Sequence, residues 1–161
     1  MEIVVRNAAE ADLSAIAALH YHSRERLSRF IPEGLGEKFL MERDLLEDTE
    51  MFREQLADED SLVLIAEIDG QFCGFLTAAV QPYEDELLHS PYLTIEFLEV
   101  TPDMSGRGVG SSLLQAVEAC ARERGIRNID LSVWQDNPRA QSLYARLGYA
   151  PLEIRMYKLL D

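Results

Sequence analysis

The sequence predicts an α+β fold, a mixed sheet with helices on its faces, and three observations carry that expectation. Hydrophobic periodicity read along the chain gives the element order β α α β β β α β α β. The pair Asp69-Gly70, set between two apolar runs, is a strong hairpin signal and joins two of the central strands. At 161 residues the chain fits one domain, and a domain of about this size buries roughly 68–70% of its unfolded surface, enough to build a core without staples.

Each element has its own signal. Glu2 to Arg6 is β-branched and weakly alternating, a first strand, and Glu10 to Phe30 carries Leu13, Ile16, Ala17, Leu19 and Leu27 at helical spacing. Pro32, Gly34 and Gly36 interrupt that helix. A second helix is expected from Glu37 to Leu56, with Met41, Leu45, Phe52 and Leu56 on one side and acids on the other. Leu62 to Ile68 and Phe72 to Val80 form the hairpin strands, and Gln81 to Pro91 is a polar loop. Tyr92 to Thr101 is a third long strand, closed by Pro102. Val109 to Arg124 is an amphipathic helix with Gly125 at the position of a C′ glycine. A short strand from Ile129 to Val133, a short helix from Arg139 to Leu147 ending at Gly148, and a strand-like run from Tyr149 to Leu160 complete the chain.

Composition narrows the function. Fifteen basic against 29 acidic residues give a net charge of −14, which opposes approach to a phosphate backbone or an anionic membrane. The start MEIVVRNAAEADL has neither a charged leader nor a cleavage site, and no stretch of about 18 apolar residues occurs, so a cytoplasmic protein is expected. Cys73 and Cys120 both fall in predicted core elements and read as reduced packing residues. His20 and His22, two apart on a helix, point to different faces, and His89 stands alone in a loop, so no metal site is expected.

The stretch "SGRGVGSSLL", Ser105 to Leu114, places three glycines at alternate positions between a strand and a helix. Two phosphate-cradling patterns fail against it. A Walker A loop needs Lys then Ser or Thr after its last glycine, where Ser111 and Ser112 stand, and the dinucleotide fingerprint needs its third glycine where Ser111 stands. What remains is the helix N-terminus itself, whose free N–H groups and macrodipole attract anions. With no side chains on Gly106, Gly108 and Gly110, a pyrophosphate could reach those amides, and Arg107 or the Ser111 hydroxyl could add a contact.

"FLEVTPDMSGRGVGSSLL" followed by "DNPRAQSLYARLGY" resembles the two core motifs of the GNAT superfamily of acetyl-CoA-dependent N-acetyltransferases. The first matches that family's Q/R-x-x-G-x-G/A loop, at Ser105 to Gly110, after an apolar-x-Val-x-Pro strand end at Leu98 to Pro102. The second matches an Asn, a short helix with Tyr, and a closing Gly-aromatic pair at Asn137, Tyr144, Gly148 and Tyr149. The resemblance covers about Ile95 to Tyr149 and implies a largely antiparallel sheet in a single domain over residues 1–161, with splayed central strands at Tyr92 to Thr101 and Ile129 to Val133. It implies acetyl-CoA as cosubstrate and no metal, held by Leu98, Glu99, Val100, Ser105, Gly106, Arg107, Gly108, Val109, Gly110, Ser111, Asn137 and Tyr144. Ser105 departs from the family, which has Gln or Arg there, and weaker pyrophosphate binding is the expected consequence.

The chemistry needs a neutral amine, and a lysine-like amine of pKa about 10.4 is about 3.4 units, roughly 4.6 kcal/mol, from neutrality at pH 7. Strand alternation sends Glu96 and Glu99 to opposite faces, so only one of them can face the cleft. By the resemblance Glu96 is the general base, acting through a water. Tyr144 is the general acid toward the departing thiolate, and a backbone N–H between Leu98 and Val100 is the oxyanion donor. Asn137 is open between a pantetheine contact and a helix cap, and Trp134 between the cleft and an ordinary rim aromatic. The acceptor is read least well: Glu84, Asp85 and Glu86 would attract a cationic amine, whereas Arg24, Arg26 and Arg29 would pair an acceptor carboxylate. The expected partner is a small-molecule or peptide amine, not nucleic acid or membrane, with a homodimer left open; a non-catalytic acyl-CoA-binding module is the alternative.

Overall fold

The computed structural model describes residues 2–36, 44–83 and 85–160. Five strands, β1 (Ile3–Asn7), β2 (Ser61–Ile68), β3 (Gln71–Gln81), β4 (Tyr92–Val100) and β5 (Ile129–Leu131), lie in one sheet in that order. The first four pair antiparallel and β5 joins β4 in parallel. Among the described residues four helices flank it: α1 (Leu13–Ser28), α2 (Leu45–Ala57), α3 (Val109–Glu123) and α4 (Pro138–Arg146). Among the described residues no helix is long and apolar enough to cross a membrane.

Short-range chemistry places most of these elements. Asp69 and Gly70 both take positive φ, 52° and 74°, the pairing that a two-residue turn matched to strand twist requires. They close Ile68 onto Gln71 and set the β2–β3 register. Both α3 and α4 stop by the same device. The Gly125 and Ile126 amides bond back to Arg122 and Ala121, and the Gly148 and Tyr149 amides to Ala145 and Tyr144, with each glycine at positive φ.

The sheet is covered on both faces. Leu64, Leu76, Leu93 and Ile95 meet Val109, Leu113, Leu114 and Val117 of α3 in one fully or nearly buried cluster. On the opposite face Val63, Ile65 and Phe75 meet Ile16 and Ala17 of α1 and Phe52 of α2. Each cluster draws alternate residues from β2, the period-two rule at work. Arg6 ties β1 to the start of α1 and to β2, bonding Asp12 at 2.8 and 2.9 Å and Glu67 at 2.7 Å.

Two expectations change. The second helix begins at Leu45, where Asp44 has extended backbone and its carboxylate accepts the Leu46 N–H at 2.9 Å; an N-cap acid ends the helical pattern on its N-terminal side. The earlier part of that expected helix, including Met41, lies outside the described residues. The run expected as a last strand forms none: residues 150–160 are exposed and unpaired, with Ile154 and Met156 more than four-fifths exposed. Apolar alternation supplies a strand's faces, but a strand also needs a partner's row of amides and carbonyls, and β5 is only three residues long.

Candidate active site

The sheet opens between its last two strands. β4 and β5 pair at Leu93–Ile129, Thr94–Asp130 and Ile95–Leu131 and no further, with the Thr94 hydroxyl donating to Asp130 at 2.6 Å. From Glu96 onward β4 is held on its β3 side alone among the described residues. The register on that side also slips there: Phe97 faces Thr77 and Ile95 faces Ala78, which leaves Glu96 opposite nothing. Glu96 is thus a β-bulge residue, the device that re-aims side chains at the end of a pairing.

The bulge overturns the expected separation of the two acids. Alternation would keep residues 95, 97 and 99 on one face, yet Ile95 packs on the α3 side while Phe97 packs on the α1–α2 side. Leu98 and Val100 turn to the α3 side instead. Glu99 consequently enters the α1 layer, and Glu96 reaches the same side, accepting from Gln55 Nε2 of α2 at 2.7 Å. Partial burial pushes the Glu96 carboxyl above its ordinary range, and the nearby Asp58 charge adds to the rise.

The glycines of "SGRGVGSSLL" serve two ends. Gly106 and Gly108 take φ of 84° and 94°, which side chains rarely adopt, and so turn the chain into α3. Gly110 is needed for packing: a Cβ there would lie 3.2 Å from Leu143 of α4 and 3.9 Å from Val100 of β4. The three glycines expected to clear a path for a ligand thus also serve the turn, at Gly106 and Gly108, and the contact with α4, at Gly110. The first backbone bond into the helix runs from Ser112 N–H to the Gly108 carbonyl, 3.0 Å, so the amides of Val109, Gly110 and Ser111 precede it and point out of the helix end. Another glycine sets β4 itself. A Cβ on Gly74 of β3 would stand 2.5 Å from the Glu99 carbonyl oxygen, so only glycine allows the two strands to meet where β4 opens.

The Gly110–Leu143 contact seats α4 beside the start of α3 and carries Tyr144 with it. Tyr144 is half-buried against the α3-side cluster, its ring edge-on to Tyr149 with centroids 5.8 Å apart. Burial pushes its phenol above the ordinary value, so at neutral pH it carries its proton. Asn137 is the N-cap of α4, accepting the Ala140 N–H at 3.2 Å, which commits its carbonyl oxygen to the helix.

Sequence reasoning missed one pairing and one further residue near this site. His20 of α1 and Glu99 of β4 form a pair at 2.7 Å, both almost fully buried, with the His20 ring packed on Phe97 and Phe52. They are 79 positions apart, and no local pattern signals such a pair. Arg139 lies over the glycine loop, its guanidinium 3.4 Å from where a Gly106 Cβ would be; its place in the Asn-Pro-Arg-Ala run was the available signal. Other candidates among the described residues lie at the surface. His22 is exposed beside Tyr21, the Asp85 carboxylate accepts the Leu87 and Leu88 amides of its own loop, and Glu84 lies outside the described residues. Arg26 donates to Ser23 and Arg29 lies over Phe30. Trp134 is part-exposed at the end of the β5 segment. Cys73 and Cys120 are free thiols, and burial pushes the Cys73 thiol up, away from the reactive thiolate.

Known proteins are similar to this chain in sequence and fold. The sequence profile of the Acetyltransferase (GNAT) family matches residues 28–149. The chain is 30% identical over 146 residues to the uncharacterized N-acetyltransferase YhfO of Bacillus subtilis (strain 168), covering 90% of this chain and 88% of that protein. It is 34% identical over 94 residues to the streptothricin acetyltransferase of Streptomyces lavendulae, 58% of this chain and 47% of that enzyme. The structure of AAC(6')-Iy in complex with the bisubstrate analogue CoA-S-monomethyl-acetylneamine has the same fold, with a TM-score of 0.73 at 21% identity over 100% of this chain and 99% of that one. A profile spanning three-quarters of the sequence and a relative aligned over most of both chains place the protein in the GNAT acetyltransferase family, as an acetyl-CoA-dependent N-acetyltransferase.

Proposed function

We propose that the protein moves an acetyl group from acetyl-CoA to a primary amine of a small molecule or protein by direct attack, at the opened edge of β4. The observation that carries this reading is the early end of β4–β5 pairing at Ile95–Leu131, next to the Glu96 bulge. The residues present fit the cosubstrate. Two positive-φ glycines and the first amides of a 15-residue helix form an anion cradle of the kind a pyrophosphate fills. Acetyl-CoA, when bound, supplies the activated acetyl carbonyl. Ser105 to Ser111 hold its phosphates, and the Leu98–Val100 backbone offers N–H donors at the open edge, where one such donor is worth about 2.7–4 kcal/mol in related chemistry. Tyr144 donates a proton to the departing thiolate. Glu96, its carboxyl less acidic than usual, accepts the proton of the acceptor ammonium through a water. The names of the streptothricin and aminoglycoside relatives support a small, amine-rich acceptor.

Thermal shift is the first test. Acetyl-CoA at a hundredfold excess over its Kd is expected to add about 2.7 kcal/mol, or very roughly 5–10 °C in Tm, with no shift from NAD. The absence of a shift with any acyl-CoA would overturn the reading. A shift without thiol release across an amine panel would instead favour an acyl-CoA-binding module.

The role of Glu96 has a pH signature. A base works deprotonated, so kcat/KM falls as pH drops through its pKa, and burial places that acid limb above the ordinary carboxylate range. Glu96→Gln is expected to lower kcat/KM about 10²-fold and to abolish that limb. An unchanged profile in the variant would assign the base elsewhere.

A further inference from the structure

We propose that Arg139 supplies the anion-binding side chain that this phosphate loop lacks at Ser105, gripping the pyrophosphate of coenzyme A from α4; this rests on the reading of the loop as the coenzyme A cradle. Ser105 offers one uncharged hydroxyl on a short side chain. The Arg139 guanidinium lies next in space to the following residue, 3.4 Å from a Cβ built on Gly106, so the missing side chain of Gly106 leaves the loop backbone and the guanidinium face to face.

Three further facts make Arg139 suited to the task. It is exposed and has no ion-pair partner among the described residues, so its charge is uncommitted. It occupies the first turn of α4, directly after Pro138 and with no acid in that turn, which is the helix end that disfavours a cation. Local helix energetics therefore do not explain it, whereas a bound anion would. Its position is also fixed, because Asn137 caps α4 and Leu143 packs on Gly110 at the loop's far end. A guanidinium offers phosphate a planar fork of donors, which a serine hydroxyl cannot. On a chain of net charge −14 such a local cation counts for more, since the overall field repels the ligand.

Isothermal titration of coenzyme A and of 3′-dephospho-coenzyme A into the wild type, Arg139→Gln, Ser105→Arg and the double variant tests this without recourse to turnover. Arg139→Gln is expected to weaken both ligands by the same factor, about five- to tenfold, with Tm unchanged and with a shallower dependence on salt. Ser105→Arg should raise affinity several-fold more in the Arg139→Gln background than in the wild type, because the two side chains then serve one ligand group. A loss under twofold overturns the proposal, and so does a loss confined to coenzyme A, which would move the contact to the 3′-phosphate. Equal gains from Ser105→Arg in both backgrounds also overturn it. If the wild type binds neither ligand, the reading of the loop falls first, an outcome distinct from tight binding that ignores Arg139.

Discussion

Tyr144→Phe is expected to lower kcat by about 10²–10⁴-fold, while folding and acetyl-CoA affinity stay near wild type. The change removes one oxygen and keeps the ring, so the packing of that ring against Tyr149 and the α3-side cluster survives. What disappears is a phenol whose burial holds it protonated, the state in which it can give a proton to a leaving thiolate. Steady-state kinetics with thiol detection, paired with titration of acetyl-CoA, separates the two readings of this residue. Loss of kcat at constant Kd supports the acid role. Full activity would make Tyr144 a buried aromatic and nothing more.

His20→Ala should produce the largest loss of stability, about 3–5 kcal/mol, or roughly 6–20 °C in Tm. Glu99 is almost wholly buried, and His20 is the partner of its Oε1 while Oε2 already has none among the described residues. Removing the imidazole leaves the carboxylate without a hydrogen bond in an aromatic layer built by Phe52 and Phe97. The cost is that of stranding a buried polar group, which exceeds the small net worth of an intact bond. Glu99→Gln keeps an amide oxygen or N–H for the ring and should cost less than half as much. Chemical denaturation of the two variants checks both numbers. A Tm within 2 °C of wild type for His20→Ala would show that the pair does not hold α1 on β4.

Much of the architecture was legible locally. Asp69-Gly70, the glycines that end α3 and α4, and the Pro102 stop each act within a few residues, so a short window contains their whole cause. The loop at Ser105 was equally readable, since positive φ at Gly106 and Gly108 is a property of single residues. Asn137 shows the boundary of such reading. Its type suited either a cap or a ligand contact, and the Ala140 amide that it meets lies within the same helix, so the cap was the nearer solution.

The sequence by itself determined the strand and helix order as far as α4, the glycine turn ahead of α3, and the family, because these depend on residue type at short spacing. Tertiary structure decided which way the acids point. One unpaired residue in the β3–β4 register put Glu96 and Glu99 on the same face, and a bulge is a relation between two strands that neither strand's pattern encodes. It likewise brought His20 to Glu99 and Arg139 to Gly106, and it left the 150–160 run unpaired beside a β5 only three residues long. Periodicity fixes the faces of an element, but contacts between elements are set by register and packing, and only the folded chain contains those.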